Sequence, residues 1–127
     1  MNARAVIVAA ALVCAAPGAQ ADPTQGERVF QRCFACHSVV AGEDKLPGPN
    51  LKTVIGRRAG TLAGFEYSPA MIAAGKDDNI VWSRATLDTY LTDPDAMVPG
   101  TAMQQPLRLS PAERQDLIDF LESAAKR

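Results

Sequence analysis

Two long stretches of the chain, residues 42–67 and 92–109, show neither helical nor strand periodicity and are broken by glycine and proline. Loops of this length in a small domain are usually functional or packed around something. Two such loops are hard to stabilise with side chains alone. We therefore predict that the fold needs an additional core component, a large apolar ligand.

The remaining segments carry helical signals. Capping residues followed by proline or by apolar residues at helical spacing predict helix starts at Asp22, Ser68, Ser83 and Ser110. The first three of these helices are expected to end near Phe34, Gly75 and Asp93. Convincing period-2 strand patterns are absent, so the expected fold class is all-α.

Residues 1–21 have the composition of a cleaved export signal. Arg4 supplies a positive charge, residues 5–16 form an apolar run, and Ala19-Gln20-Ala21 places small residues at the cleavage site. An uncleaved membrane anchor is the alternative, although the run is short for a membrane span. We predict a signal peptide over residues 1–21, one domain over residues 22–127 and export to the periplasm.

Composition excludes several classes of protein. The 127 residues include 13 Lys and Arg against 14 Asp and Glu, a net charge of −1, which excludes a broadly basic nucleic-acid binder. An apolar fraction of 47% and a charged fraction of 21% exclude wholesale disorder. The single histidine excludes a multi-histidine metal site. Once Cys14 is removed with the signal, two cysteines remain, too few for a disulfide framework.

Those two cysteines lie in the sequence Cys33-Phe34-Ala35-Cys36-His37. This pattern is C-x-x-C-H, the attachment signature of c-type haem. Two thiols three residues apart on a helical turn can each form a thioether with one haem vinyl group, and the histidine that follows then reaches the iron. Haem would also supply the apolar core component that the irregular loops require.

Three other interpretations of the motif are weaker. A zinc site needs about four ligands, and two cysteines and one histidine would need carboxylates to complete it. A thioredoxin-like redox pair expects a βαβ setting, which the helical pattern lacks. A plain structural disulfide is the third alternative. Haem attachment is the interpretation that we favour.

The second axial ligand of the iron cannot be histidine, because His37 is the only one. Methionine is the natural choice in electron-carrying cytochromes. Met71 falls on a predicted helix, where a core role is expected, whereas Met97 and Met103 both lie in the second irregular stretch. The turn that precedes Met103 could swing its thioether to the far face of the haem.

Further motifs accompany the attachment site in a fixed order. They are Gly26 with Phe30, Gly48-Pro49-Asn50-Leu51, Gly56-Arg57, Gly64-Phe65-Glu66-Tyr67, Trp82, Tyr90-Leu91 and Pro99-Gly100-Thr101-Ala102-Met103. Over about residues 26–122 the chain resembles class I c-type cytochromes of the mitochondrial and alphaproteobacterial type. The resemblance implies a small cytochrome c fold, with about three to five helices and long loops wrapped around one covalently bound haem.

The resemblance also implies the residues that hold the haem. Cys33 and Cys36 would form the thioethers, and His37 and Met103 would be the axial ligands of the iron. The carbonyl of Pro49 would accept the N–H of His37, which fixes the tautomer and raises the basicity of the ligand.

Other positions match residues that surround the haem in this family. Arg57, Tyr67 and Trp82 match residues that hydrogen-bond a buried propionate, and Tyr90 matches a tyrosine whose hydroxyl lies near the methionine sulfur. Gly26 and Phe30 match the face of the first helix that crosses the last helix, here at Leu117 and Phe120.

The implied function is that of a soluble one-electron carrier, not an enzyme. Its partners would be transient redox proteins, such as a quinol-oxidising complex, an oxidase, a peroxidase or a dehydrogenase; we expect no nucleic acid, no stable membrane anchor and a monomer. The alternatives are a haem-c subunit of a larger redox complex and a peroxidase-like or gas-sensing haem protein. Residues 92–106 contain Asp93 and Asp95 but none of the lysines of mitochondrial members, so the partner stays open.

Overall fold

The structure is a computed structural model that describes residues 23–104 and 107–127. It contains five helices: α1 (Pro23–Phe30), α2 (Pro69–Lys76), α3 (Arg84–Thr92), α4 (Pro94–Met97) and α5 (Pro111–Ala125). The described residues form no strand, and their only β-type pairing is an isolated antiparallel bridge between Arg58 and Val81. The all-α prediction is therefore confirmed.

Serine caps start three of the helices where the sequence predicts them. The side chains of Ser68, Ser83 and Ser110 accept the backbone N–H groups of Met71, Thr86 and Glu113, respectively. These bonds satisfy N–H groups that have no partner within the helix. The predicted first cap, Asp22, and the predicted signal peptide lie outside the described residues.

One helix boundary differs from the prediction, and one short helix is additional to it. The first helix ends at Phe30 rather than near Phe34, and the chain continues as hydrogen-bonded turns through Cys36. The short helix α4 was not predicted, because Pro94 was interpreted only as the end of the preceding helix. Asp93 caps it by accepting the N–H of Ala96, so this Asp-Pro pair ends α3 and begins α4.

Helices α1 and α5 cross at close range. A Cβ atom at Gly26 would collide with the backbone oxygen of Asp116 and lie 2.5 Å from the Cβ of Phe120. Next to this crossing, the rings of Phe30 and Phe120 pack with their centroids 5.3 Å apart. The predicted crossing is confirmed, and the lack of a side chain at Gly26 is what permits it.

A second contact ties α3 to α5 through charged side chains. Arg84 pairs with Asp119 and Glu122, and the Nε of Arg114 donates to Asp88 at 2.8 Å. Beneath these pairs the buried core draws on the helices and on the loops between them. Its members include Phe30, Met71, Trp82, Leu87, Tyr90, Leu117, Ile118 and Phe120, together with Val54, Ala59, Val98 and Leu109 from the irregular stretches. The irregular stretches thus form part of the core rather than a separate layer.

Within the part of the chain that the structure describes, no helix combines the length and the apolar character needed to cross a membrane.

Candidate functional site

The C-x-x-C-H segment forms a tight turn directly after α1. The N–H of Cys36 and the N–H of His37 both donate to the carbonyl of Cys33, at 3.0 and 2.9 Å. Cys33 is half-buried and Cys36 is exposed, and the two thiols are not joined by a disulfide. Burial raises the pKa of the Cys33 thiol to about 11, with Arg32 opposing this shift. The turn therefore presents two unbridged thiols and the imidazole on one short segment.

The imidazole of His37 is oriented by the backbone of the next loop. Its Nδ1 lies 2.8 Å from the carbonyl oxygen of Pro49, and since a carbonyl can only accept, Nδ1 carries the proton. Burial lowers the pKa of His37, although the bond to Pro49 raises it. The neutral ring is thus favoured, and its Nε2 is the nitrogen left to bind a metal.

Gly48 allows this close approach. A Cβ atom at this position would meet the Cε1 of His37, and it would lie 2.7 Å from Nδ1 and 2.8 Å from the carbonyl oxygen of Cys36. The N–H of Gly48 donates to that same carbonyl at 2.7 Å. The Gly-Pro pair of the sequence motif therefore has two local tasks, space for the ring and an acceptor for its N–H.

Arg57 lies in a partly buried position beside the same loop. Its Nη1 and Nη2 donate to the carbonyl of Asn50 at 3.1 and 3.2 Å. Its Nε is buried and has no hydrogen-bond partner among the described residues. Burial lowers the pKa of the guanidinium, and Tyr67 opposes this shift. A buried donor without an acceptor is costly, so this atom marks a place where an anionic group would be stabilised.

The three aromatic residues predicted at the site lie in two places. Tyr67 is half-buried, packs edge-on against Phe65 with centroids 4.8 Å apart, and accepts the N–H of Leu62 at 3.4 Å. Trp82 and Tyr90 are buried together, with their ring centroids 5.1 Å apart. Tyr67 influences the pKa of Arg57, but among the described residues no hydrogen bond joins the two side chains.

The hydroxyl of Tyr90 has a defined partner. It lies 2.8 Å from the Oγ1 of Thr101, a residue that is 1% exposed. Burial raises the pKa of Tyr90, and the bond to Thr101 opposes this shift. The Thr101 hydroxyl also accepts the N–H of Met103 at 3.4 Å. The tyrosine therefore anchors the loop that carries Met103.

The three candidate methionines occupy different settings. Met71 lies in α2 and is buried in the core, as predicted. The sequence predicts an irregular loop at Met97, whereas in the structure Met97 is the last residue of α4, because Asp93 and Pro94 nucleate a helical turn there. Met103 lies in irregular backbone. Both Met97 and Met103 are half-buried and pack against the core.

The residues present fit a covalently attached haem. Two unbridged thiols, a neutral imidazole with one free nitrogen and an unpartnered buried guanidinium nitrogen match the vinyl groups, the iron and a propionate. The described residues contain no cluster of three or more His, Cys, Asp or Glu side chains that could bind a metal ion directly.

Sequence reasoning missed three polar residues that shape this site. Ser38, Glu43 and Asn50 form side-chain hydrogen bonds across the loop between His37 and Pro49. Asn50 belongs to the Gly-Pro-Asn-Leu motif, and that was the available signal. Glu43 carried none, because a carboxylate in a Gly-rich loop resembles any solvated charge.

Comparisons with known proteins identify the family of the chain. The cytochrome c family profile matches residues 23–125. Cytochrome c2 of Rhodomicrobium vannielii is 43% identical over 116 residues, which cover 91% of this chain and 90% of the relative. Cytochrome c of Ginkgo biloba is 39% identical over 107 residues, or 84% of this chain and 91% of the relative.

A solved structure shows the same fold. Cytochrome cH from Methylobacterium extorquens superposes with a TM-score of 0.72 at 36% sequence identity, covering 80% of this chain and 98% of that protein. The fold, the C-x-x-C-H turn and the matching profile lead to one conclusion. The chain belongs to the cytochrome c family and is a haem-c electron-transfer protein, not an enzyme.

Proposed function

We propose that this protein is a soluble periplasmic electron carrier whose haem iron is held by His37 and Met103. The observation that carries the proposal is the 2.8 Å contact between His37 Nδ1 and the Pro49 carbonyl, which leaves Nε2 as the metal-binding nitrogen. Bound haem c supplies a one-electron couple between Fe(III) and Fe(II). The chain's task is to attach it, to hold both axial ligands and to limit rearrangement on transfer.

Cys33 and Cys36 are the thioether residues of the proposal. Their positions three residues apart, on a turn closed by the Cys33 carbonyl, support attachment at two points of one haem edge. The exposure of Cys36 is consistent with a haem edge that reaches the surface there. Electrons would enter and leave at that edge.

Met103 is the proposed sixth ligand. Its backbone N–H is held by Thr101, which Tyr90 anchors in turn, so the loop presents its sulfur from a supported backbone. A thioether is a soft ligand that favours Fe(II), and burial disfavours the extra positive charge of Fe(III). We expect a positive midpoint potential.

Arg57, Tyr67 and Trp82 are proposed to surround a haem propionate. The unpartnered Nε of Arg57 supports this assignment most directly, because a carboxylate would satisfy it. Tyr67 neighbours Arg57, whereas Trp82 is buried against Tyr90. For Tyr90 we propose a positioning role through Thr101, and the sequence expectation of a hydroxyl near the methionine sulfur stays a prediction.

Export and partners are also proposed. A signal peptide over residues 1–21 would deliver residues 22–127 to the periplasm as a monomer. Transient redox partners follow from the family; a quinol-oxidising complex, an oxidase, a peroxidase or a dehydrogenase are the candidate types. Exposed Asp93 and Asp95 give the α4 region an acidic character, so we do not expect a partner that recognises lysine side chains of the carrier at this place.

Carbon monoxide binding to the reduced protein at neutral pH tests the proposal. A carrier with both axial positions filled should bind it poorly, and a reductive titration should give a positive midpoint potential. Ready binding of carbon monoxide together with a strongly negative potential would contradict Met ligation and would indicate a haem enzyme or gas sensor instead.

A further inference from the structure

The loop that joins His37 to Pro49 is closed by a carboxylate. The hydroxyl of Ser38 donates to Oε2 of Glu43 at 2.6 Å and accepts the N–H of Val40 at 2.9 Å. Ser38 is buried, with 6% of its surface exposed, so its end of the contact is shielded from water. The side chain that follows the proposed axial ligand is therefore tied to the middle of the loop.

Asn50 holds the same part of the loop from the other side. Its Nδ2 donates to the carbonyls of Val40 and Glu43, at 2.7 and 3.3 Å, and its Oδ1 accepts the N–H of Lys52 at 2.8 Å. Asn50 is also buried. We call the contact of the Ser38 hydroxyl with the Glu43 carboxylate the Glu43 clasp; the Asn50 side chain supports the same loop through backbone carbonyls.

The clasp and the Asn50 bonds involve the two residues that follow His37 and Pro49 in the sequence. Ser38 directly follows His37, and Asn50 directly follows Pro49. The carbonyl of Ser38 accepts the N–H of Leu51 at 2.7 Å, so the two ends of the loop are paired next to the clasp. A loop that opens at Glu43 would loosen this pairing and lengthen the bond between the imidazole and the Pro49 carbonyl.

We propose that Glu43 is a positioning residue for the axial imidazole: its carboxylate acts through Ser38 on the hydrogen bond from His37 to Pro49, whereas Asn50 bonds the backbone carbonyl of Glu43 and does not depend on that side chain. The inference rests on the proposed ligation of iron by His37. A strong bond from the ring N–H to a carbonyl raises the basicity of the ligand. A more basic ligand stabilises Fe(III), so the intact clasp holds the midpoint potential lower than a loose loop would.

The negative charge of Glu43 has an effect of its own, which the test must separate from positioning. Any carboxylate near the iron favours Fe(III) through space, and this effect weakens with distance and salt. Asp44 is the adjacent residue, is exposed and has no side-chain partner among the described residues, so Asp44→Ala removes the same charge without opening the clasp. Glu43→Gln removes the charge but keeps an oxygen that can accept from Ser38.

The experiment compares Glu43→Ala, Glu43→Gln and Asp44→Ala in the holoprotein. We expect Glu43→Ala to raise the midpoint potential, with Glu43→Gln and Asp44→Ala giving small and equal shifts. Amide exchange at Leu51 should accelerate about fivefold to tenfold in Glu43→Ala alone, since one net hydrogen bond is lost. Equal potentials for the Ala and Gln variants, or an unchanged potential in Glu43→Ala, would overturn the proposal.

A second pair of variants covers the case in which Glu43→Ala fails to fold. Ser38→Ala should raise the midpoint potential above the wild-type value, as Glu43→Ala does. Ser38→Thr keeps the hydroxyl and should have a midpoint potential close to wild type. Equal potentials for these two variants would also overturn the proposal. The readouts separate this failure from a failure of His37 ligation. Without ligation, the wild-type His37 ring resonances would lack the shift caused by the iron, whatever the exchange rate at Leu51.

Discussion

At the scale of single residues, the site depends on which methionine faces the iron. We predict that Met103→Ala leaves the haem attached, lowers the midpoint potential and allows carbon monoxide to bind the reduced protein, because the soft sixth ligand is lost. Met97→Ala is the matched control, since it removes a half-buried methionine that also packs against the core. If Met97→Ala allows carbon monoxide to bind the reduced iron and Met103→Ala does not, the ligand assignment is wrong.

Gly48 gives a second test at this scale. Its replacement by Ala forces a methyl group against the ring of His37 and the carbonyl of Cys36, so the loop must shift. We predict a loss of about 1–3 kcal/mol in the free energy of unfolding, the usual cost of overpacking, together with a changed midpoint potential.

Gly64→Ala is the control for Gly48→Ala. Gly64 has a φ of +81°, and a Cβ there would meet nothing within 4 Å. The substitution should cost about 1 kcal/mol through backbone conformation alone. Its midpoint potential should stay at the wild-type value; if Gly48→Ala behaves in the same way in denaturant titration and redox titration, the steric argument at His37 fails.

At the scale of helices, the start of α5 is linked to the haem-attachment turn by a carboxylate. Glu113 accepts the N–H of Ser110 at 2.8 Å and a bond from Arg32, the residue before Cys33, at 2.6 Å. These two hydrogen bonds hold the pKa of Glu113 below its ordinary value of 4.5, and the bond from the Ser110 N–H has the larger effect. The ionised form is therefore favoured in the folded state.

The pH dependence of Glu113→Gln follows from this direction. A lowered pKa contributes stability above the unfolded value, about pH 4.5, and that stability is lost as pH falls through the folded value. We predict that Glu113→Gln is less stable than wild type at neutral pH and that the gap narrows on acidification below pH 4.5. Denaturant titrations across this pH range measure the difference in the free energy of unfolding between the two proteins. Glu66→Gln, at an exposed position, is the control. A difference that does not change with pH would contradict the argument.

Helix starts were predictable from the sequence because their causes are local. A serine followed by Pro, or by Thr or Glu at the third helical position, fixes its own hydrogen bonds within one turn, as at Ser83 and Ser110. The early end of α1 and the single turn of α4 were missed, because tertiary contacts and a shared Asp-Pro pair decide them. The Glu43 clasp was invisible for the same reason, since its partners meet only after the loop has closed.

At the scale of the whole molecule, the fold class and family were predictable because the motifs extend over most of the chain. The choice between Met97 and Met103 was not predictable from spacing alone, because the sequence of residues 92–109 shows no periodicity that separates them, although the structure places Met97 at the end of α4. The two irregular stretches contribute Val54, Ala59, Val98 and Leu109 to the buried core, although most of their described backbone lies outside the helices. The haem is therefore expected to act as a structural centre as well as a redox group.

This expectation predicts the behaviour of apoprotein. Cys33→Ser combined with Cys36→Ser should give an unfolded or degraded product, since the loops lose the group around which they pack. Far-UV circular dichroism and limited proteolysis report it. Phe34→Ala, which alters a residue 57% exposed between the two cysteines, should leave folding intact. A compact, protease-resistant double-serine variant would contradict the structural role of the haem.

The intact mass of the protein recovered from the periplasm tests the account most directly. We predict the mass of residues 22–127 plus one haem that survives denaturation, because in the proposal two thioethers hold the haem and the signal peptide is cleaved after Ala21. A mass equal to that of the bare processed chain, or a haem that is released by acid and solvent, would contradict covalent attachment at Cys33 and Cys36.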